Sequence, residues 1–362
     1  MTDLLLSQPF KLPCGLTLPN RLAKAALAEE IADCQHLPTT TQLENAYGAW
    51  ADGGWGMVMT GNVQVDEKYL GGHRDLAVSS DLPEEKVLEA YKKFVGIMRR
   101  KGTPAIMQIN HPGRQSPLGA GKKAFMDKNL APSPIQLNMG DDFLAKIITN
   151  VVFGTPKEMS VEEIEDVVQS FARTARIASE AGFDGVEIHA AHGYLLSQFM
   201  SEKSNQRTDA YGGSPAARAK IIVDVAKAIR AATPAGFCVG LKFNSADHQS
   251  PKELEEVLEQ ITLIAEVGLD FLEVSGGSYE NPSVSVPSIH SYPHTNIVVD
   301  VHRNRREESG KHSSPRVLLP LLRSRNARQG SQRSPNGNRR LPHTRRHGSG
   351  PSRRRLRSDR SW

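Results

Sequence analysis

The densest group of chemically useful side chains is the run His189-Ala-Ala-His192-Gly-Tyr194. Two imidazoles three residues apart and a phenol can donate hydrogen bonds to a carbonyl or nitro oxygen and supply a proton. Histidine suits this role because it can donate near neutral pH without a large pKa shift. The run predicts acid and hydrogen-bond chemistry on an oxygen-bearing substrate, with His189, His192 and Tyr194 as candidate catalytic residues.

Two other interpretations of these histidines stay open. The pair could share a metal ion with Glu187 or Glu273, although no HExxH or comparable ligand motif supports a metal site. A purely structural role for both imidazoles is the other alternative. We therefore expect no metal among the site residues.

Polar residues also recur in pairs two positions apart, where apolar runs end. The pairs are Gln108 and Asn110, Glu187 and His189, Lys242 and Asn244, and Glu273 and Ser275. A spacing of two puts both members on one face of a strand, and strands of a barrel bring such ends to one mouth. These groups could instead only close the top layer of the barrel. A lysine Schiff-base aldolase using Lys242 is a further enzymatic alternative.

Alternating strands and helices must position these residues. Short apolar runs predict six strands, at 21–27, 56–61, 104–109, 184–189, 237–243 and 269–275. Amphipathic stretches predict helices at 41–52, 84–101, 161–181, 215–232 and 252–267. Ser160 and Glu163 form a capping box before the third helix, and Gly182 ends it.

Regular β-α alternation indicates a parallel sheet, either doubly wound or closed as a (β/α)8 TIM barrel. Neither GxGxxG nor GxxxxGK[ST] follows a strand, so the α/β class with a barrel is favoured. Two long connections, 110–159 and 190–214, lie on the carboxyl side of the strands. The first contains the apolar run 147–153 and predicts a small hairpin lid over the mouth.

Charge divides the chain of 362 residues and net charge +5 into two parts. Residues 301–362 contain 17 Arg and one Lys against three acidic residues, whereas residues 1–300 are net acidic. No secretory signal and no apolar run of spanning length is seen. Cys14, Cys34 and Cys238 are scattered, which argues against a disulfide framework or a zinc site and favours a cytoplasmic location.

The long run AGFDGVEIHAAHGYLLSQFMSEKSNQRTDAYGGSPAAR, residues 181–218, resembles the Old Yellow Enzyme family of FMN-dependent NAD(P)H:flavin oxidoreductases. Shorter similarities occur in the same order along the chain. They are LPNRLAKAAL at 18–27, GGWGMVMTGNV at 53–63, IMQINHPGRQ at 106–115, VGLKFNSADHQ at 239–249 and DFLEVSGGSYENP at 270–282. The resemblance covers roughly residues 8–282.

The resemblance implies a TIM barrel with FMN as cofactor and NADH or NADPH as reductant of an activated alkene, such as an enone-like small molecule. Cofactor-binding positions carried over from it are Ala26, Leu27, Gly61, Asn62, Gln108 and Lys242. Lys242 would lie near flavin N1, where a reduced flavin gathers negative charge. His189 and His192 would hold the substrate oxygen, and Tyr194 would donate the proton.

Two departures from the family pattern stand out. Ala28 replaces a Thr or Cys that tunes the flavin potential in many relatives. After residue 283 the pattern stops, so we expect an incomplete barrel domain at 1–283 with about six recognisable strands. A disordered basic Arg/Ser-rich tail at 284–362 follows.

The tail has two interpretations. It could associate with nucleic acid through phosphate contacts. An out-of-frame translation of the missing barrel end is favoured instead, because the change of composition falls inside a domain. The functional alternatives to the flavoenzyme are an inactive truncated barrel unable to hold FMN and nucleic-acid association through the tail. A homo-oligomer is compatible with the sequence, and no membrane partner is expected.

Overall fold

Thirteen short strands and seven α-helices form the part of the chain described by the structure, a computed structural model. It describes residues 4–124, 126–244 and 251–280, together with the backbone of 297–300. The strands are β1 Phe10–Lys11, β2 Thr17–Leu18, β3 Ala23–Lys24, β4 Met57–Met59, β5 Val63–Gln64, β6 Leu76–Ala77, β7 Ala105–Asn110, β8 Leu130–Ala131, β9 Lys157–Glu158, β10 Gly185–Ala190, β11 Cys238–Asn244, β12 Phe271–Ser275 and β13 Ile297–Asp300.

Four of the described helices begin at a capping side chain, that of Thr40, Asp142, Ser160 or Ser214. The helices are α1 Thr41–Asp52, α2 Glu84–Met98, α3 Phe143–Val152, α4 Val161–Ala181, α5 Leu195–Met200, α6 Pro215–Ala232 and α7 Pro251–Ala265. The side chain of Ser160 caps α4 in a complete capping box with Glu163, and Gly182 ends it at φ +101°. Only glycine adopts that left-handed conformation without steric cost.

The main sheet is a curled half-barrel in which at least one helix connects each of the parallel strands β3, β4, β7, β10, β11 and β12 to the next one along the chain. Its order is β13-β12-β11-β10-β7-β4-β3, and β5 pairs with both β7 and β6. The β3 to β12 pairs on this path are parallel, whereas β13 runs antiparallel to β12. Thus six neighbouring parallel positions of a barrel are present among the described residues, and the predicted α/β barrel class is confirmed.

The inner face changes from apolar to polar along every central strand. Register pairs Gln108 with Glu187, and pairs Lys242 with both His189 and Glu273. Two residues earlier on the same strands, the inner face carries Ile106, Gly185 and Gly240. Gly240 packs against the ring of Phe271. A Cβ at Gly240 would lie 2.1 Å from the Phe271 ring, so glycine is required there. The sheet therefore places its polar residues together at the carboxyl ends of the strands.

The amino end of the sheet is closed by an apolar plug. The β1–β2 hairpin supplies Leu12 and Leu18, which pack against Met57, Met59, Ile106, Cys238 and Phe271 in one buried cluster. Charged groups at this end are tied to backbone: the Asp270 carboxylate accepts from Val239 N at 2.7 Å, and the Asp184 carboxylate accepts from Ala105 N at 2.9 Å. The plug and these bonds fix the strand starts.

The six predicted strands and five predicted helices are all present, with differences at their ends, whereas seven short strands and the helices α3 and α5 were not predicted. Helix α2 stops at Met98 rather than at 101, and β3 is much shorter than the predicted 21–27. The hairpin lid prediction is wrong: residues 143–152 form helix α3, and β8 pairs with β9 in parallel. An Asp142 side chain that caps Ala145 N at 2.9 Å starts this helix.

The predicted basic tail at 284–362 lies outside the described residues, apart from the backbone of β13. Its predicted disorder and its domain boundary therefore stay predictions. No helix in the described part of the chain is both long and apolar enough to span a membrane.

Candidate functional site

His189, His192 and Tyr194 meet at the end of β10. The ring centroids of His189 and His192 are 4.9 Å apart, as are those of His189 and Tyr194, both in edge-to-face geometry. His192 adopts φ +59°, a conformation uncommon for a non-glycine residue, and this turn brings its ring back beside His189. The structure therefore brings together the three predicted catalytic residues.

Both imidazoles are neutral at physiological pH. Burial lowers the pKa of His189 well below its ordinary value, and the charges of His192 and Lys242 act in the same direction. Burial also lowers the pKa of His192 to about 3, with Lys242 adding to the effect. His189 Nδ1 accepts a hydrogen bond from Ala191 N at 3.2 Å, which leaves its proton on Nε2. His189 is thus a hydrogen-bond donor, not a cation.

The Tyr194 hydroxyl keeps its proton as well. Burial raises the pKa of Tyr194 well above its ordinary value, and the nearby Tyr279 adds to this effect. The Tyr194 oxygen lies 3.5 Å from the Tyr279 hydroxyl and 3.5 Å from Asn62 Nδ2. Tyr279 is 37% exposed, so the two phenols connect the buried site to solvent.

Beneath this cluster lies a buried charged network. Lys242 Nζ is 2.8 Å from Glu273 Oε1, and Gln108 Nε2 donates to Glu187 Oε2 at 2.6 Å. Burial raises the pKa of Glu187 well above its ordinary value, and the neighbouring Glu273 carboxylate raises it further. Glu187 therefore holds a proton more readily than an exposed glutamate does, beside the ion pair of Lys242 and Glu273.

The predicted backbone positions after β3 and β4 also lie together. A Cβ at Gly61 would be 2.2 Å from Leu27 O and 2.0 Å from Glu29 Oε2, so glycine is required for this close approach. Gly61 N donates to the Tyr47 hydroxyl at 2.7 Å, which in turn donates to Glu29 Oε1 at 2.7 Å. Leu27 is 55% exposed, whereas Ala26 packs on the core.

Sequence reasoning missed several residues of this end of the sheet. Lys24 is buried, donates to Met59 O at 3.2 Å and lies 3.8 Å from the Trp50 ring centroid. Burial lowers its pKa to about 8 against the opposing effect of Glu29, and Lys242 lowers it further. A lysine within the apolar run 21–27 was the available signal. Tyr279 had no such signal, because it approaches Tyr194 only through the fold.

A buried arginine side chain, Arg114, connects two segments near the carboxyl ends of the strands. Arg114 is 8% exposed in its side chain and pairs with Glu280 at 2.7 Å. Arg114 also donates to Ile135 O at 3.0 Å, and Glu280 accepts from Asn138 N at 2.8 Å. The 110–159 connection is therefore tied to the chain that follows β12.

The residues present fit a flavin ring. Lys242 and Lys24 provide cations suited to the electron-rich pyrimidine edge, and Gln108 provides an amide beside them. The Asn62 Oδ1 and Gln115 Oε1 atoms are buried without a hydrogen-bond partner in the described part of the chain, so acceptors for ring and ribityl donors are available.

A curled parallel sheet with aromatic, imidazole and ammonium groups at its carboxyl ends belongs to the barrel class whose chemistry lies at that end. The family model of the NADH:flavin oxidoreductase / NADH oxidase family matches residues 5–306. The chain belongs to this family. FMN with NADH or NADPH, the predicted cofactors, agree with it.

Similar proteins support the same family. The chain is 54% identical over 284 residues to "NADH-dependent flavin oxidoreductase iliE" of Neonectria sp. (strain DH2), a match covering 78% of this chain and 37% of that protein. It is 48% identical to "NADH-dependent flavin oxidoreductase iccE" of Talaromyces variabilis, covering 79% of this chain and 69% of that protein.

A solved structure shows the same fold. The old yellow enzyme homologue from Zymomonas mobilis superposes with a TM-score of 0.64 at 22% identity, covering 77% of this chain and 78% of that chain. The family match runs beyond residue 283, to residue 306, and includes β13.

Proposed function

We propose that this protein is an FMN-dependent NAD(P)H oxidoreductase of the ene-reductase type. Its substrate would be a small activated alkene, such as an α,β-unsaturated carbonyl compound. The observation that carries the proposal is the packing of neutral His189, His192 and protonated Tyr194 above the buried Lys242. The family membership and the names of the similar proteins support the same activity.

Two imidazoles would hold the substrate oxygen. His189 carries its proton on Nε2, and His192 Nε2 lies 2.8 Å from Ser275 Oγ, which fixes the ring. Neutral imidazoles donate hydrogen bonds without placing a full charge beside Lys242. Donation to a carbonyl oxygen withdraws electrons from the conjugated alkene and stabilises the negative charge that develops on that oxygen.

Tyr194 would supply the proton. Its raised pKa keeps the hydroxyl protonated, so the phenol can act as a general acid at the substrate carbon. After that step the Tyr279 hydroxyl, 3.5 Å away and partly exposed, could return a proton from solvent.

FMN, when bound, would supply hydride transfer between the nicotinamide and the alkene. Gln108 and Lys242 would hold the pyrimidine edge of the ring, and the backbone at Ala26 and Leu27, with Gly61 and Asn62, would lie against the ring. Glu273 keeps Lys242 at the strand end by an ion pair at 2.8 Å.

An absorbance spectrum of the purified 362-residue protein tests the proposal. We expect the flavin band near about 450 nm, bleached anaerobically by NADH and restored by an enone such as 2-cyclohexenone. A protein that stays colourless after incubation with FMN would overturn the proposal and favour an inactive barrel. Bleaching by NADH without reoxidation by any activated alkene would retain the flavoenzyme and remove the alkene as substrate.

A further inference from the structure

Two cysteines meet at the end of the sheet opposite the candidate site. Cys14 lies in the turn between β1 and β2, and Cys238 is the first residue of β11. Their Sγ atoms and a carboxylate oxygen of Asp270 all lie within 4.8 Å of one another. Cys14 is half-buried and Cys238 is buried, and both are free thiols. This pair takes no part in the proposed oxidoreductase chemistry.

The surroundings give the two sulfur atoms room to approach each other. Gly185 lies beside Cys238 in the sheet, and a Cβ there would be only 2.5 Å from Cys238 Cβ. Cys14 packs against the same apolar cluster that contains Cys238. Cys14 also lies in a short turn closed by Leu12 N to Leu16 O at 2.8 Å, with Gly15 at φ +97°. A turn adapts its side-chain direction more readily than a central strand.

We propose that Cys14 and Cys238 form a reversible redox-active dithiol, which low-molecular-weight disulfides oxidise to an intramolecular disulfide. The bond would join the β1–β2 hairpin to the start of β11 across the plugged end of the sheet. Sulfur atoms must come from within 4.8 Å to about 2.05 Å, a change that side-chain rotation and a small turn movement can supply.

The chemistry is thiol–disulfide exchange with balanced electrons. The Cys14 thiolate attacks glutathione disulfide, forms a Cys14–glutathione mixed disulfide and releases a glutathione thiolate. Cys238 then attacks the Cys14 sulfur, its proton passes to the departing glutathione sulfur, and the Cys14–Cys238 bond forms. Two protein thiols are oxidised, and one glutathione disulfide is reduced to two glutathione thiols.

The division of roles follows from the environment of each thiol. The hydrogen bond from Cys238 lowers the pKa of Cys14, whereas this same bond and burial raise the pKa of Cys238. The thiolate therefore forms on the accessible residue, where a small oxidant can reach it. Cys238 keeps its proton until the mixed disulfide on Cys14 has formed, and then acts as the resolving cysteine.

A metal ion fits this cluster less well than a disulfide. The Asp270 carboxylate already accepts from Arg230 NH2 at 2.7 Å and from Val239 N at 2.7 Å. A divalent cation bound to both thiolates and Asp270 would lie next to the Arg230 guanidinium, which repels it. A disulfide needs neither the carboxylate nor the loss of that ion pair.

The test treats the full-length reduced protein with glutathione disulfide, then unfolds it for N-ethylmaleimide labelling, intact mass and peptide mapping. We expect Cys14 and Cys238 to lose their labels with no glutathione on either residue, and the link to lower the mass by two hydrogens, apart from any adduct on the exposed Cys34. The mapped link should join the peptides of Cys14 and Cys238. Dithiothreitol should restore all three thiols.

Two variants and one metal control make the test decisive. The matched control is Cys34→Ser, at the exposed cysteine. This variant should form the same link, and its number of labelled thiols should fall from two to none. Cys14→Ser should lose the link, so Cys238 should be labelled in the unfolded protein both with and without glutathione disulfide. A stable glutathione adduct on Cys14 in the parent protein, or a link that includes Cys34, would overturn the proposal. Protection of both thiols by Zn²⁺ alone, reversed by EDTA, together with failure to form the link would assign the cluster to metal.

Discussion

The two ends of the same six strands differ in the way their polar groups are held. At the amino end, charged side chains bond to backbone: Arg230 donates to Phe237 O and Gly268 O, and Asp270 accepts from Val239 N. At the carboxyl end, Lys242, Glu273, Glu187 and Gln108 bond to one another. Bonds to backbone fix a structure, whereas a network of side chains can change partners and protonation.

This difference separates stability from chemistry within one sheet. The amino end combines an apolar plug with charges that strand geometry holds in place. The carboxyl end keeps two imidazoles neutral, one phenol protonated and the ammonium groups of Lys242 and Lys24 buried, all within a few residues of strand ends. Barrel enzymes in general place their chemistry at that end and their stability at the other. Changes at the two ends should therefore have separable effects.

The largest effect should follow Tyr194→Phe at the carboxyl end. Without the phenolic proton, reduction of an activated alkene should fall by roughly 10²–10⁴-fold, the usual contribution of a general acid. Reduction of the flavin by NADH should keep its rate, because it needs no proton from Tyr194. Stopped-flow measurement of the two half-reactions checks this. Tyr211→Phe, which removes hydrogen bonds to Asp224 and Lys220, is the matched control; equal loss in both half-reactions would contradict the assigned role.

Lys242→Met should lower the free energy of unfolding by about 3–5 kcal/mol and weaken FMN retention. The substitution leaves Glu273, a fully buried carboxylate, without its counter-ion. Urea denaturation measures the effect, and the double variant with Glu273→Gln should recover most of the lost stability. Lys252→Met, at a lysine whose side chain is 71% exposed, should change stability by no more than about 0.5 kcal/mol. Failure of the double variant to recover would argue against the ion pair as the cause.

Asp270→Asn should lower stability by about 1–3 kcal/mol while flavin content and turnover stay at parent values. It removes a charge that pairs with Arg230 at 2.7 Å but lies at the plugged end of the sheet. Denaturation and steady-state kinetics, measured on the same preparation, check the prediction. A loss of turnover as large as that of Lys242→Met would break the separation between the two ends.

Acid should destabilise the protein through its buried histidines. Burial lowers the folded-state pKa of His111 and of His192 to about 3. As pH falls below about 6.5, the unfolded chain binds protons that the folded chain does not, so stability is complete above this pH and declines below it. The free energy of unfolding should fall by up to about 1.4 kcal/mol per pH unit for each histidine.

Denaturation between pH 7 and pH 5, above the range in which most carboxylates titrate, measures this slope. His192→Gln should reduce the slope by the contribution of one histidine, and a further His111→Gln should reduce it again. A slope that His192→Gln leaves unchanged would show that His192 is not held neutral in the folded protein.

Much of the fold was predictable from local patterns. The helix at 161–181 was predicted at its observed bounds, because its capping box, apolar stripe and terminal glycine all act locally. One wrong prediction was at 143–152, where the apolar run 147–153 suggested a hairpin but Asp142 caps a helix. Short apolar runs occur in both hairpins and helices. The apolar residues alone therefore did not distinguish the two, and the cap at Asp142 was not considered.

The site was predictable only in part. Spacing two along strands correctly grouped Gln108 with Glu187 and Lys242 with Glu273, since strand register turns a sequence pattern into neighbours. Lys24 and Glu29 escaped notice because their partners are supplied by α1 and the end of β4, distant in sequence.

The sequence by itself determined the alternation of strands and helices, the end of each strand at which polar residues lie, and the family resemblance, because all three are written in local order and periodicity. The tertiary structure alone decided which charges are buried together. It set the neutral state of His189, the raised pKa of Glu187 beside Glu273, and the meeting of Cys14 with Cys238. Protonation and reactivity depend on burial and on neighbours brought from distant parts of the chain, which no local pattern specifies.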